Sequence, residues 1–193
     1  VRRLWRALKL SIPRRRPRRR RCDSDIRLPG ATWPNSVWSD DLVHDQLVDG
    51  QVLKMLCVID ECTRECLAIE VGASLHSQDV ILVLSRLMRL YGKPALIRSD
   101  NGAEFTAARV IRWLRDASIG PAFITPGSPW KNGFVESFNG KLRDALLNRE
   151  WFRIRAETKV LIEQWRQLYN ERRPHSSPLP TSGHGPSSLA GVR

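Results

Sequence analysis

The 193-residue chain contains no run approaching the roughly 18 consecutive apolar residues that a membrane span requires, which excludes an integral membrane protein. Length is also limiting: 193 residues, 41% of them hydrophobic, suffice for one packed domain of ordinary size and not for two large ones. No internal repeat is present. The cysteines, Cys22, Cys57, Cys62 and Cys66, lack the two close pairs, or the pair answered by histidines, that zinc sites show, so they read as reduced, mostly buried thiols of a cytoplasmic protein. Acid is absent from the start of the chain. Val1 to Arg21 holds eleven Lys or Arg and no Asp or Glu. The chain as a whole has 32 Lys+Arg against 20 Asp+Glu, so 21 basic face 20 acidic residues once this arm is set aside. The body is nearly neutral and the arm is a polycation, suited to phosphate. A mitochondrial transit peptide is disfavoured, because Arg14 to Arg21 is nearly uninterrupted guanidinium rather than amphipathic. Val1 in place of an initiator Met suggests a fragment, a processed form or a trimmed chain.

Arg2 to Leu10 has the spacing of a short helix, broken by Pro13 and Pro17, and Asp23 to Ser36 is a turn-rich linker with Pro29-Gly30 and Pro34-Asn35. Three strand-like runs follow: Val37 to Leu47, Val52 to Asp60 after an Asp49-Gly50 turn, and Glu65 to Val71. Together they predict an antiparallel meander. Gln78 to Tyr91 is helical by its apolar period and stops at Gly92 and Pro94. Ala95 to Arg98 is a strand, Thr106 to Ala117 a helix with Val110, Trp113 and Leu114 inward, and Ala122 to Thr125 a strand. Alternating strand and helix predict parallel additions to the sheet. Asn132 to Leu147 and Glu157 to Tyr169 are the last two helices. The chain thus divides into an arm and linker, 1–36, a mixed α/β core, 37–171, and a Pro, Ser and Gly-rich tail, 172–193, expected to be poorly ordered.

Three acidic residues stand where a structural role is hard to supply. Asp41 lies within the first strand, Asp100 ends a strand in Ser99-Asp100-Asn101-Gly102, and Glu136 sits one turn into the Asn132 helix. Singly, each has an ordinary explanation: an edge-strand charge, a turn or cap, the solvated side of an amphipathic helix. Gathered together, they would repel one another unless a hard cation such as Mg²⁺ neutralised them, and two such ions about 3.5 to 4 Å apart hold the oxygens of an in-line phosphoryl displacement. At about 100° per residue, Asn132, Glu136, Asn139 and Arg143 share one side of their helix. Val135, Phe138, Leu142 and Leu146 form the adjacent core stripe. Arg143 lies about 10.5 Å beyond Glu136 along the axis, a reach suited to gripping a flanking phosphate.

Taken together, four segments resemble a known family: Trp38-Ser39-Asp40-Asp41-Leu42-Val43; Val58-Ile59-Asp60 with Thr63-Arg64-Glu65-Cys66-Leu67-Ala68; Ser99-Asp100-Asn101-Gly102-Ala103-Glu104-Phe105; and Asn132-Gly133-Phe134-Val135-Glu136-Ser137-Phe138-Asn139-Gly140-Lys141-Leu142-Arg143. They are similar to the DDE transposases of the insertion-sequence-three family, OrfB type, which are related to retroviral integrases. The 35 residues between Asp100 and Glu136 match that family's motif, and the likeness runs from the arm to His175. It implies an RNase H-like core, a mixed five-stranded sheet flanked by helices, in which Asp41, Asp100 and Glu136 are catalytic metal ligands for two Mg²⁺ ions, with Mn²⁺ as a substitute. The implied activity is cleavage and strand transfer of insertion-sequence DNA, element ends and target alike. The implied setting is a homo-oligomer on DNA in a bacterial cytoplasm, associated with the nucleoid, with a separately encoded upstream helix-turn-helix protein or fusion frame as partner. Expected DNA contacts are Arg14, Arg15, Arg16, Arg18, Arg19, Arg20 and Arg21 of the arm, with Trp130, Lys131, Asn139 and Arg143 near the Glu136 helix.

Departures from the pattern matter too. Asp40 stands where the family usually has an uncharged residue, and so competes with Asp41 for the ligand role; the motif favours Asp41. Ala145 replaces a common acidic residue, the segment after His175 loses the family's closing pattern, and the upstream helix-turn-helix region is missing, which together read as a truncated or decayed copy. The competing expectations are a plain metal-dependent nuclease on the same fold and an inactive remnant that only binds nucleic acid through its arm. Asp60 is expected to stabilise a strand end rather than to bind metal. His44, His76 and His184 look structural or solvated, and Asn101, Gly102, Glu104, Ser137 and Asn139 are candidates to support the carboxylates.

Overall fold

Apolar strands buried on both faces and two tight turns build the first half of the sheet. In the computed structural model, which describes residues 30–123 and 132–172, β1 (Val37–Gln46), β2 (Val52–Asp60) and β3 (Cys66–Gly72) form the antiparallel meander, with Asp41 opposite Cys57 in the β1–β2 register. Gly50, at φ 83°, makes the left-handed turn that a side chain would strain. Asp60 secures the next turn by accepting the backbone N–H groups of Asn35 (2.6 Å) and Cys62 (2.7 Å). It therefore holds a strand end.

Helix α1 (Ser77–Tyr91) buries Val80, Val83, Leu84 and Leu87 and stops at Gly92, whose N–H returns to Met88. It delivers the chain to β4 (Leu96–Ser99), which runs parallel to β1. Next come α2 (Ala103–Thr106), α3 (Ala108–Asp116) and β5 (Gly120–Phe123), parallel to β4. The sheet order is β3-β2-β1-β4-β5. Helix α4 (Gly133–Leu142), a π-helical turn (Arg143–Leu147) and α5 (Arg155–Arg172) complete the described fold.

Each face of the sheet has its own core. Trp38, Leu56, Val58 and Ile97 pack with α1, Phe105 of α2, and Val110 and Leu114 of α3. Val43, Met55, Cys57 and Ile59 pack with Val135, Phe138 and Leu142 of α4 and Ile162 of α5. Helices therefore cover both faces, the layered arrangement expected for strands buried on two sides.

Several boundaries differ from expectation, among them the last helix, which runs Arg155–Arg172 rather than Glu157 to Tyr169. The single helix expected over Thr106 to Ala117 is two, because Ala107 is extended (φ −55°, ψ 134°); the break lets Phe105 enter the core independently of α3. Strand β5 begins two residues early, at Gly120, where a Cβ would come within 3.0 Å of Leu96. The Asn132 to Leu147 helix widens after Leu142: Asn148 N–H bonds to Arg143 C=O (2.9 Å), five residues back, and the wider turn buries both Leu146 and Leu147. The basic arm and the short helix expected in it, Trp130, Lys131, His175, His184 and the tail from Arg173 lie outside the described residues.

Candidate active site

Strand alternation separates the two adjacent aspartates of β1. Asp41 shares its face with Val43, on the side of α4; Asp40 shares its face with Trp38 and Leu42, on the side of α1 and α3. Asp41 is half-buried, its Oδ1 accepting the Leu42 N–H and its Oδ2 the Asn139 side-chain amide, both at 2.8 Å. Asp100 follows β4 and accepts the Gly102 N–H at 2.8 Å. Gly102 leaves room for it: a Cβ there would lie 2.9 Å from Asp100 Oδ1, so the carboxylate would have to move aside. Gly102→Ala should therefore displace the Asp100 carboxylate. Asp100-dependent chemistry should fall about tenfold, as a small misplacement of a reacting group does, while the thermal unfolding midpoint changes little.

Glu136 is exposed on α4. Burial first, then the charge of Asp100 and to a lesser degree that of Glu136, push the Asp41 carboxyl up to about 6, against the opposing hydrogen bonds from Leu42 and Asn139. Two strands and one helix thus bring Asp100 and Glu136 within electrostatic reach of Asp41. They are neighbours rather than an assembled ligand set: among the described residues, no three His, Cys, Asp or Glu side chains converge tightly enough to hold a metal ion. Their chemistry fits a hard divalent cation even so, because the donors are all oxygen and a dication relieves the repulsion that adds to burial in lifting Asp41.

A buried layer supports this cluster that sequence reasoning missed. Arg98, two residues before Asp100, pairs with Glu61 at 3.1 Å, their side chains 7% and 0% exposed. Ser39, two residues before Asp41, donates its hydroxyl to the same Glu61 carboxylate. Burial pushes Glu61 up, while Ser39 and Arg98 pull it back down. The available signal was a charged residue inside a four-residue strand, where only a paired charge is tolerable.

On the other face, Asp40 is fully buried. Among the described residues neither of its oxygens has a well-formed hydrogen-bond partner, and the nearby Ser99 hydroxyl only partly offsets the burial that pushes it up to about 8.

The DNA contacts expected near α4 fare differently. Asn139 does not face a ligand in solvent; it is turned inward, 8% exposed, holding Asp41, because the flank of α4 it shares with Glu136 abuts β1. Arg143 is exposed and reaches across to the backbone carbonyl of His44 on β1 (3.2 Å). Glu104 pairs with Lys54 at 3.2 Å. Cys57 and Cys66 are buried free thiols, pushed up by burial, and Cys62 is half-buried.

A mixed sheet ordered 3-2-1-4-5 with helices on both faces defines the RNase H-like architecture, with acids on β1, just after β4 and on α4. Consistent with that, the HTLV-2 integrase catalytic core domain, solved in complex with magnesium in a dimeric form, superposes with a TM-score of 0.56 at 18% identity, covering 76% of this chain and 94% of that one. The chain belongs to the integrase core domain family, whose models match residues 31–129 and 117–178. It is 40% identical over 177 residues to the insertion element IS407 uncharacterized 31.7 kDa protein of Burkholderia multivorans, and 38% identical over 175 residues to the insertion element IS476 uncharacterized 39.2 kDa protein of Xanthomonas euvesicatoria. Each alignment covers 91% of this chain, but only 63% and 51% of those relatives, so the chain spans between half and two thirds of their length.

Proposed function

We propose that this chain is the catalytic core of an insertion-sequence transposase, cutting DNA at an element end and joining the freed 3′-hydroxyl to a target phosphodiester. The observation that carries this reading is the placement of Asp100 and Glu136 near Asp41, where their charges add to the burial that pushes the Asp41 carboxyl up to about 6. Divalent ions, two Mg²⁺ by this reading with Mn²⁺ as substitute, would be held by these three carboxylates and supply Lewis acidity at the phosphorus and activation of the attacking oxygen. The chain's own contribution is positioning. Asn139 and the Leu42 N–H aim both oxygens of Asp41, Gly102 lets Asp100 turn back on its own loop, and the Ser39–Glu61–Arg98 layer holds β1, β2 and β4 in step beneath them. No covalent protein intermediate is required.

The partners belong to the same proposal: DNA, further copies of the chain, and a separately encoded helix-turn-helix protein or fusion frame. So do the arm's phosphate contacts and a cytoplasmic, nucleoid-associated location; among the described residues no helix is long and apolar enough to cross a membrane.

Incubation with Mg²⁺ or Mn²⁺, labelled element-end DNA and a target plasmid tests the reading. Joined products are expected. Cleavage without joining would make the chain a nuclease, and retention of DNA without products a binding remnant.

The Asn139 amide holds Asp41 below the value that burial and its neighbours would otherwise impose. Asn139→Ala should raise it further, so the acid limb of the cleavage pH profile moves to higher pH. A pH profile that superposes on wild type would show that Asn139 does not tune Asp41.

A further inference from the structure

A second site lies on the opposite flank of the helix that carries Glu136. Arg64, from the turn between β2 and β3, Ile59 of β2, Tyr169 of α5, and Phe134, Ser137 and Lys141 of α4 line an open hollow of about 360 Å³. Its wall carries two cations and two hydroxyls.

Its geometry is fixed from behind. The Arg64 guanidinium lies over the Phe134 ring, 3.4 Å from the centroid, and Phe134 keeps 38% of its surface exposed. Arg64 itself sits at φ 64° in a turn that Asp60 anchors, its N–H bonded to Asp60 C=O (2.8 Å). Tyr169 is wedged edge-on against Phe138 (5.0 Å) and stacked on Trp165 (5.3 Å).

The path between the hollow and the carboxylates is unusual in composition. At about 100° per residue, Gly140, Gly133 and Ser137 occupy, in that order, the arc of α4 that separates Glu136 from Lys141 and Phe134. A Cβ on either glycine would meet nothing within 4 Å, so packing does not demand glycine there, and Gly140 weakens the helix it sits in. What the small residues leave is a low ridge over which another backbone can pass closely.

We infer that this hollow receives one unstacked nucleotide of the DNA strand, its base against the Arg64–Phe134 pair and its phosphate between Lys141 and Ser137. Flat aromatic and guanidinium surfaces accept any base, and neighbouring cations and hydroxyls accept phosphate. An α-helix is about 10 Å across, so a strand crossing the Gly133–Gly140 ridge places that nucleotide a few positions from the bond at the carboxylates. Holding it there keeps the strands apart next to the cut. The inference rests on the reading of the chain as a DNA-cutting enzyme.

The test uses the full chain, ¹⁵N-labelled, titrated with thymidine 3′,5′-bisphosphate in metal-free buffer. Saturable amide shifts are expected at Arg64, across Gly133 to Lys141 and at Tyr169, and Phe134→Ala should weaken them about tenfold through lost stacking. Inorganic phosphate should bind far more weakly. Shifts confined to Val1 to Arg21, an affinity indifferent to Phe134→Ala, or phosphate binding as tightly as the bisphosphate would each overturn the proposal. Asp41→Asn should bind the bisphosphate as wild type does. A wild-type chain that binds at the hollow yet never cuts DNA refutes the transposase reading alone; one that cuts but shows no shifts there refutes the hollow alone.

Discussion

Asp41→Asn is expected to abolish Mg²⁺-dependent strand cleavage, and Asp40→Asn to leave it at the same order of magnitude. The side chains are adjacent in sequence and nearly identical in chemistry, so only their placement separates them. Asp41 faces α4, is accessible, and feels the charges of Asp100 and Glu136; Asp40 is sealed beneath α1 and α3. An amide at Asp41 retains the shape and can still meet Asn139, but it carries no charge to set against a dication. The loss of several kcal/mol of charge stabilisation corresponds to a fall on the order of 10³-fold or more in rate. DNA retention through the arm should persist, which keeps the loss of chemistry distinct from the loss of folding. The opposite pattern, with Asp40→Asn dead and Asp41→Asn active, would mean that β1 is one residue out of register, because a slip of one exchanges every side chain between faces.

Much of the fold was legible because its local signals agree with its topology. The Asp49-Gly50 turn and the nearly continuous apolar run of Val52 to Asp60 define the hairpin, and the strand is found over those residues. The switch to parallel pairing follows from the helices interposed before β4 and β5. The failures share a cause. Periodicity places residues around a helix axis but does not say what stands beside them. The arc holding Glu136 and Asn139 was identified from spacing, yet whether it faced solvent or the sheet depends on how α4 lies against β1, a contact between residues 98 apart in sequence. Likewise Ser39, Glu61 and Arg98 meet only once β1, β2 and β4 are aligned, so no local pattern announces their pairing. Ala107 and the turn after Leu142 break helices without Gly or Pro, because burying Phe105 and both Leu146 and Leu147 outweighs regular helix geometry.

Asp40 should also make the protein lose stability as pH rises through neutrality. Burial pushes its carboxyl up to about 8, far above the value of about 3.9 expected for an unfolded chain. Between those values the folded state holds a proton that the unfolded state has released. Stability from this group is therefore complete below about pH 4 and declines until the pH passes about 8. One group of this kind contributes about 1.4 kcal/mol per pH unit within that window. The interval from about 6.5 to 8 isolates it best, since Asp41, pushed up to about 6, is by then mostly ionised. Asn is nearly isosteric with Asp and cannot ionise, and every other ionisable group is common to both proteins and cancels in the difference. Urea unfolding in metal-free buffer at pH 6.5, 7.2 and 8.0 should thus show wild type declining by about 2 kcal/mol relative to Asp40→Asn across the series. Parallel pH dependences for the two proteins would place the Asp40 carboxyl in contact with water and remove the basis for this prediction.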